Sequence, residues 1–305
     1  MKRTEKIWMD GEIVPWENAK VHIMTHSLHY GSAIFEGMRC YKTDHGSMIF
    51  RLDEHIKRLY RSAKIYDMKI PFAPGELTSG IKSLILENKI EECYIRPIVF
   101  YGSDEPGVNP VGNKVHAAVA IWPWLPYLGE EGLKKGVRCK ISSWVRIDPR
   151  SLPMTAKASA NYANSILAKT EARKSGYDEA ILLNNSGLVA EATGENLFII
   201  LDGKILTPPL SAGILPGITR ESIIELGSNM GFKIEEKNFG RGELVISDEV
   251  FLTGTAAEVT PVREVDGEQI GNGTRGPVTE KIQTKFFEIV RGKDEKYAKW
   301  LEALV

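Results

Sequence analysis

The stretch "DEAILLNNSGLVAEATGENLFIILDGKIL", residues 178–206, decides the fold class. Short runs of aliphatic and β-branched residues are interrupted by Asn185-Ser186-Gly187 and Asp202-Gly203, residue types that suit tight turns. Such spacing predicts an antiparallel meander. Working outward, segments of period 2 and period 3.6 alternate along the chain. "KIWMDGEIVPW" reads as a hairpin turning at Asp10-Gly11, and "SMIFRL" as a strand. "DEHIKRLYRSAKIY" reads as a helix capped by Asp53, with Ile56, Leu59, Ala63 and Tyr66 as its buried stripe and Lys57, Arg58 and Arg61 towards its edges. A helix in "GELTSGIKSLILENKI" and strands in "CYIRPIVFYG" and "KVHAAVAIW" follow. Residues 123–136 concentrate Pro, Gly and charge. The expected division is therefore a small α+β domain at 1–122, an interdomain loop at 123–136 and a large domain at 137–305. In the latter, strand "VRCKISSWV" precedes a helix over about 161–174, "LPGITRESIIELGSNMG" opens a helix, and "EVFLTGTAAEVTPVREVDGEQIG" returns to strands. The last helices begin near Pro277 and Asp294. The fold class is α+β, two domains with largely antiparallel sheets.

Bulk properties narrow the function. The chain has 305 residues, 39 Lys+Arg against 40 Asp+Glu and a net charge of -1, so no polyanion or membrane-surface partner is indicated. Cys40, Cys93 and Cys139 lie far apart and form no CxxC, which argues against a disulfide framework or zinc site and fits a reducing cytoplasm. "MKRTEKIWMDGE" lacks the apolar segment of a signal peptide, and "AAVAIWPWLPYL" is too short to span a bilayer. "GNGTRG", 271–276, matches a dinucleotide-binding pattern, but only 29 residues follow it and a hairpin-like segment precedes it. His22, His26 and His29 cluster without HExxH, so no metal is expected.

One lysine stands out. In "MTAKASANYANS", residues 154–165, Lys157 lies in a bed of small residues, with no charged neighbour from Ser151 to Leu167. Such a bed admits a flat object close to the amine, either a neighbouring strand or a ring carrying an aldehyde. Imine chemistry needs a neutral amine, hence a lowered pKa, which desolvation supplies. Pyridoxal phosphate also requires an anion site, an acid for its pyridine nitrogen and a group near its ring hydroxyl. Pro216-Gly217 before a helix aims the Ile218 and Thr219 amides outward, Thr255 and Ala256 form a second small turn, and Arg58 offers counter-charge. Glu191 sits between alanines in an otherwise apolar strand and wants a cationic partner, a pyridinium or an arginine. Tyr162 follows Lys157 by about one helical turn.

These residues, with "VHIMTHSLHYGSAIFEGMRCY", "YIRPIVFYG", "SGLVAEATGENLFII", "TPPLSAGILPGITRE" and "FLTGTAAEVTPVREVDG", closely resemble the branched-chain amino acid aminotransferases, fold type IV pyridoxal-phosphate enzymes. The resemblance runs in order from about Trp8 to Phe287. It implies Lys157 as the Schiff-base lysine, Tyr162 near the ring oxygen, Glu191 on the pyridine nitrogen, and Arg58, Ile218, Thr219 and Thr255 around the phosphate. Substrate recognition falls to Tyr30, Phe35, Tyr94, Arg96, Trp124, Tyr127 and the Thr255 and Ala256 amides. The implied fold includes a pseudo-barrel with flanking helices, and the implied assembly is a homodimer or a trimer of dimers. The implied reaction moves the amino group of leucine, isoleucine or valine to 2-oxoglutarate. Rival readings on this fold are D-amino acid and (R)-amine transaminases and aminodeoxychorismate lyase. A non-catalytic binding protein would be expected to lose one of Lys157, Tyr162 and Glu191. A class I aldolase gives no reason for the anion site.

Overall fold

The computed structural model describes residues 3–123 and 129–305. The chain divides into two compact units, Met1–Trp124 with Ala156–Ala160 and Ile289–Val305, and Leu125–Thr155 with Asn161–Glu288. The mixed α+β class is as expected from the sequence, with most strand pairs antiparallel. The units are drawn differently from the 123–136 division, because two later segments return to the first unit. Leu301–Ala303 adds a strand beside Gly46–Phe50, and Ala158 bridges Ile34. Composition marks a boundary crossing but carries no trace of such returns.

In the first unit eight described strands form one sheet. Its amino-terminal hairpin, Lys6–Met9 with Glu12–Pro15, turns on Asp10 and Gly11 at φ 49° and 97°. Two successive positive φ values match the right-handed twist of the flanking strands, which is why an Asp-Gly pair sits there. The longest strand, Cys93–Tyr101, pairs along its length with Val115–Trp122. Its other edge meets two shorter strands, Ala33–Phe35 opposite Ile98–Phe100 and Met38–Thr43 opposite the start of the strand. Glu36 and Gly37 fall in the gap between them, facing Arg96 and Pro97. A proline, lacking an N–H, is tolerated where the neighbouring ladder is interrupted, and its carbonyl accepts from Glu36 N at 3.0 Å. The helices Leu52–Ile65 and Pro74–Glu87 bury Ile56, Leu59, Leu77, Ile81 and Leu84 against the sheet's Ile34, Ile95 and Val119. Truncating any of these to alanine costs about 2–5 kcal/mol. Asp53 is not the cap of Leu52–Ile65. Arg51 occupies that position in a left-handed conformation, φ 52°, and Asp53 falls in the first turn, where its charge still complements the helix dipole.

In the second unit nine described strands form a sheet whose core includes the stacked Phe198 and Phe251 rings, 4.9 Å apart. Val137–Ile141 pairs in parallel with Glu179–Leu183 and with Glu258–Val265. The meander of 178–206 forms only in part. Glu179–Leu183 pairs with Val189–Ala192, and Asn196–Leu201 with Lys204–Thr207, but Asn196–Leu201 takes Glu249–Gly254 as its other neighbour. Thr193-Gly194-Glu195 breaks the ladder with a tight turn closed by Ala192 N donating to Glu195 O at 2.8 Å. The helices Tyr162–Lys174 and Ile218–Asn229 belong to this unit, as does Pro277–Val290 apart from its last two residues.

Candidate active site

In the first unit the Lys157 segment is held by its backbone. Lys157 O accepts from Phe35 N at 2.9 Å and Lys157 N donates to Ser62 Oγ at 3.1 Å. Ala156 and Ala158 are buried, Ala158 within the core beside Ile34. The small residues thus do seat the loop on a neighbouring strand. The same seating leaves the Lys157 side chain only partly exposed, its Nζ 5.0 Å from the centre of the Phe35 ring. Burial, reinforced by the Arg58 guanidinium, pushes its ammonium down from 10.5 to about 8. An amine in that range has a far larger neutral fraction near physiological pH than an ordinary lysine, and the neutral form is what nucleophilic attack requires.

Arg58 is buried by a partner the sequence reading did not foresee. Its Nε and Nη2 donate to Glu36 Oε1 and Oε2 at 2.6 and 2.8 Å, and His55 Nδ1 lies 2.7 Å from Glu36 Oε2. Burial alone would raise the Glu36 carboxyl, but Arg58 and His55 hold it well below the usual carboxylate range. His55 is pushed below its ordinary value by burial, against the opposing pull of Glu36. Arg58 is therefore fixed in direction by a fully buried carboxylate. The signal was a lone acid in "AIFEGM" and a His55–Arg58 pair one helical turn apart.

Arg96 lies across the rings of Phe35, Tyr94 and Trp122, at 4.9, 5.2 and 5.6 Å from their centres. Its Nη2 donates to Tyr94 Oη at 3.3 Å, and its buried Nε has no acceptor among the described residues. Nor does it pair with any carboxylate among them. A guanidinium so placed is a ready partner for an incoming anion. Gly37 makes room for this arrangement, since a Cβ there would lie 2.0 Å from Tyr94 Oη. Tyr30, at the end of helix His26–Tyr30, is exposed, its ring 4.6 Å from that of His26. Trp124 and Tyr127 lie outside the described residues.

In the second unit Glu191 is buried on strand Val189–Ala192 and accepts from three directions. Arg146 forms an ion pair with Oε1, Asn196 Nδ2 donates to Oε2 at 2.9 Å, and Leu215 N lies 3.1 Å from Oε2. The arginine partner weighed from the sequence is thus real, and "WVRIDP" gave no hint that it was Arg146. Asn196 also donates to Leu215 O at 3.0 Å, tying the strand to the loop before helix Ile218–Asn229. Gly217 caps that helix. A Cβ there would sit 1.9 Å from Asn196 Oδ1, so glycine is required by close approach. Ile218 and Thr219 are its first residues, whose amides have no acceptor within the helix, a setting that favours negative charge. Thr255 and Ala256 occupy the turn between strands Glu249–Gly254 and Glu258–Val265. Tyr162 is the first residue of helix Tyr162–Lys174.

Comparison with known proteins follows the same lines. Residues 33–265 match the family model described as amino-transferase class IV. The chain is 49% identical over 294 residues to a branched-chain-amino-acid aminotransferase of Pseudomonas aeruginosa, covering 96% of this chain and 95% of that one. The crystal structure of the branched-chain amino acid aminotransferase of Escherichia coli superposes with a TM-score of 0.97 at 45% identity, over 99% of this chain and 100% of the other. That of the branched-chain amino acid aminotransferase of Thermobaculum terrenum, solved in its PLP-form, gives 0.93 at 34% identity over 100% of both chains.

Proposed function

The chain belongs to the class IV aminotransferases, and from that premise we propose that it moves the amino group of leucine, isoleucine or valine to 2-oxoglutarate, with pyridoxal 5'-phosphate held by the residues above. The residues fit that group. An amine of lowered pKa, a buried carboxylate, a helix amino-terminus and an oriented arginine are what an aldehyde, a pyridinium nitrogen and a phosphate each require. When bound, the cofactor supplies an electron sink that stabilises negative charge at the substrate α-carbon.

Lys157 Nζ would hold the cofactor's aldehyde carbon and, as a free amine, would take and return the α-proton, a task suited to a base whose pKa lies near the working pH. Glu191 holds the proton at the ring nitrogen. Arg146, Asn196 and the Leu215 amide fix the direction of its carboxylate. Tyr162 would stand near the ring oxygen. Arg58, aimed by Glu36, would supply charge to the phosphate, and Thr255 and the Ile218 and Thr219 amides would supply hydrogen-bond donors to it. The rings of Tyr30, Phe35, Trp124 and Tyr127 form an apolar cage for a branched side chain. Arg96, helped by Tyr30, takes the distal carboxylate of glutamate, while Tyr94 and the Thr255 and Ala256 amides take the α-carboxylate.

The observation that carries the reading is Lys157, an amine set among buried alanines with its pKa pulled towards neutrality. The test is an absorbance titration of the purified protein supplied with pyridoxal phosphate. L-leucine should bleach the visible band and 2-oxoglutarate restore it; a protein that stays colourless, or responds to D-amino acids alone, defeats the reading. The same reading makes the protein a cytoplasmic homo-oligomer built on dimers, which light scattering would measure. The exposed Val21, Ile23, Met24 and Leu28 support that assembly, and no described helix is long and apolar enough to cross a membrane.

A further inference from the structure

A second buried charge network lies in the same unit as Glu191. Glu179, on the first strand of the broken meander, is fully buried. Its Oε2 is paired with Lys169 Nζ, while its Oε1 accepts from Thr193 Oγ1 at 2.6 Å and from its own neighbour's amide, Ala180 N, at 2.8 Å. Lys169 stands two turns along the helix that begins at Tyr162. Thr193 stands two residues beyond Glu191, in the turn that breaks the ladder. One carboxylate thus joins the helix that starts with the ring-oxygen tyrosine to the turn that follows the ring-nitrogen glutamate.

We propose that Glu179 is a positioning residue for the transamination, bracing Tyr162 and Glu191 against each other through Lys169 and Thr193. The proposal rests on the functional reading above. Its geometry has three supports. The turn 193–195 leaves the ladder, so the hydrogen bonds that would otherwise fix strand Val189–Ala192 in register with Asn196–Leu201 are missing there. Thr193 supplies a replacement. Asn196, which aims Glu191, is the residue immediately after the same turn, so movement of the turn moves both. Finally, burial and the Glu179 charge raise the carboxyl of Glu195, which is also buried, so a second negative charge beside Glu179 is disfavoured. The neighbouring Cys139 thiol, likewise raised by burial and by Glu179, stays protonated.

The test compares holoenzymes of Thr193→Val and Lys169→Met with wild type and with Thr193→Ser. The readouts are pyridoxal phosphate dissociation, the pH at which the visible band titrates, and thermal stability. Loss of one hydrogen bond to a charged group should raise the cofactor dissociation constant about tenfold. The visible band's titration midpoint should shift in both variants, and Thr193→Ser should restore both properties. Thr193→Val and Lys169→Met are each sufficient, so an insoluble Thr193→Val leaves Lys169→Met to decide. Variants that melt earlier yet keep wild-type cofactor affinity and midpoint would overturn the brace and make the network a fold element only. A wild-type protein that fails to bind pyridoxal phosphate would instead overturn the functional reading, so the two failures are distinguishable.

Discussion

If Arg96 takes the distal carboxylate of glutamate, as proposed, replacing it should separate glutamate from leucine. In Arg96→Met the unbranched stem keeps much of the packing between Phe35, Tyr94 and Trp122, whose centres lie 4.9, 5.2 and 5.6 Å from the guanidinium carbon. What disappears is a charge whose Nε has no acceptor among the described residues and whose Nη2 reaches Tyr94 Oη at 3.3 Å. Removing one member of a hydrogen-bonded charge pair costs about 2–5 kcal/mol. Arg96 is only partly buried, so solvent screening favours the lower part of that range, about 2–3 kcal/mol. That corresponds to a loss of roughly 30- to 150-fold in kcat/KM for glutamate. Leucine presents no distal charge, and its kcat/KM should change by no more than about threefold, the scale of a modest packing change. The assay follows each half-reaction separately by the absorbance of the bound cofactor in a single turnover. Equal losses for the two amino acids would refute the reasoning and place Arg96 in a structural role.

Three further perturbations test the surrounding framework. Glu36→Gln leaves Arg58 and His55 around a neutral amide, so it should lower stability by about 3–5 kcal/mol, read from denaturant unfolding; a change under about 1 kcal/mol would mean the buried pair is dispensable. Gly217→Ala drives a methyl to 1.9 Å from Asn196 Oδ1, displacing the amide that aims Glu191, and should weaken pyridoxal phosphate binding by about 1–3 kcal/mol. Unaltered affinity would show that Asn196 does not orient Glu191. Lys157 gives a pH signature. The unfolded chain keeps this amine protonated up to 10.5 while the folded protein releases it near 8, so the unfolded state binds more protons across that window and stability rises with pH there. Cofactor-free wild type should therefore gain stability relative to cofactor-free Lys157→Met between pH 8 and 10.5, and a flat difference would contradict the lowered pKa.

Much of this was legible in the sequence because local chemistry dictates it. Asp10-Gly11 demands a hairpin, Pro216-Gly217 opens a helix, and the stripe of Ile56, Leu59 and Ala63 buries as its period requires. Features that failed depend on residues distant in sequence. Asp53 looked like a cap, but Arg51 took a left-handed conformation with its N–H bonded to Trp300 O at 2.7 Å, a partner at the far end of the chain. The meander broke at Thr193–Glu195 because Asn196–Leu201 pairs with Glu249–Gly254, a strand that lies well beyond it in sequence. The residues that orient the site show the same division. Lys157 and Glu191 stood out by type and setting, and Arg96 entered through the family resemblance, whereas Glu36, Arg146 and Asn196 act through contacts that no local pattern encodes.

The central claim is tested most directly by reducing the holoenzyme with borohydride, digesting it and locating the phosphopyridoxyl group by mass spectrometry. The account predicts a single modified peptide carrying the group on Lys157, lost when L-leucine has first converted the cofactor to its amine form. Modification of a different lysine, or labelling of Lys157 that leucine does not prevent, would contradict it.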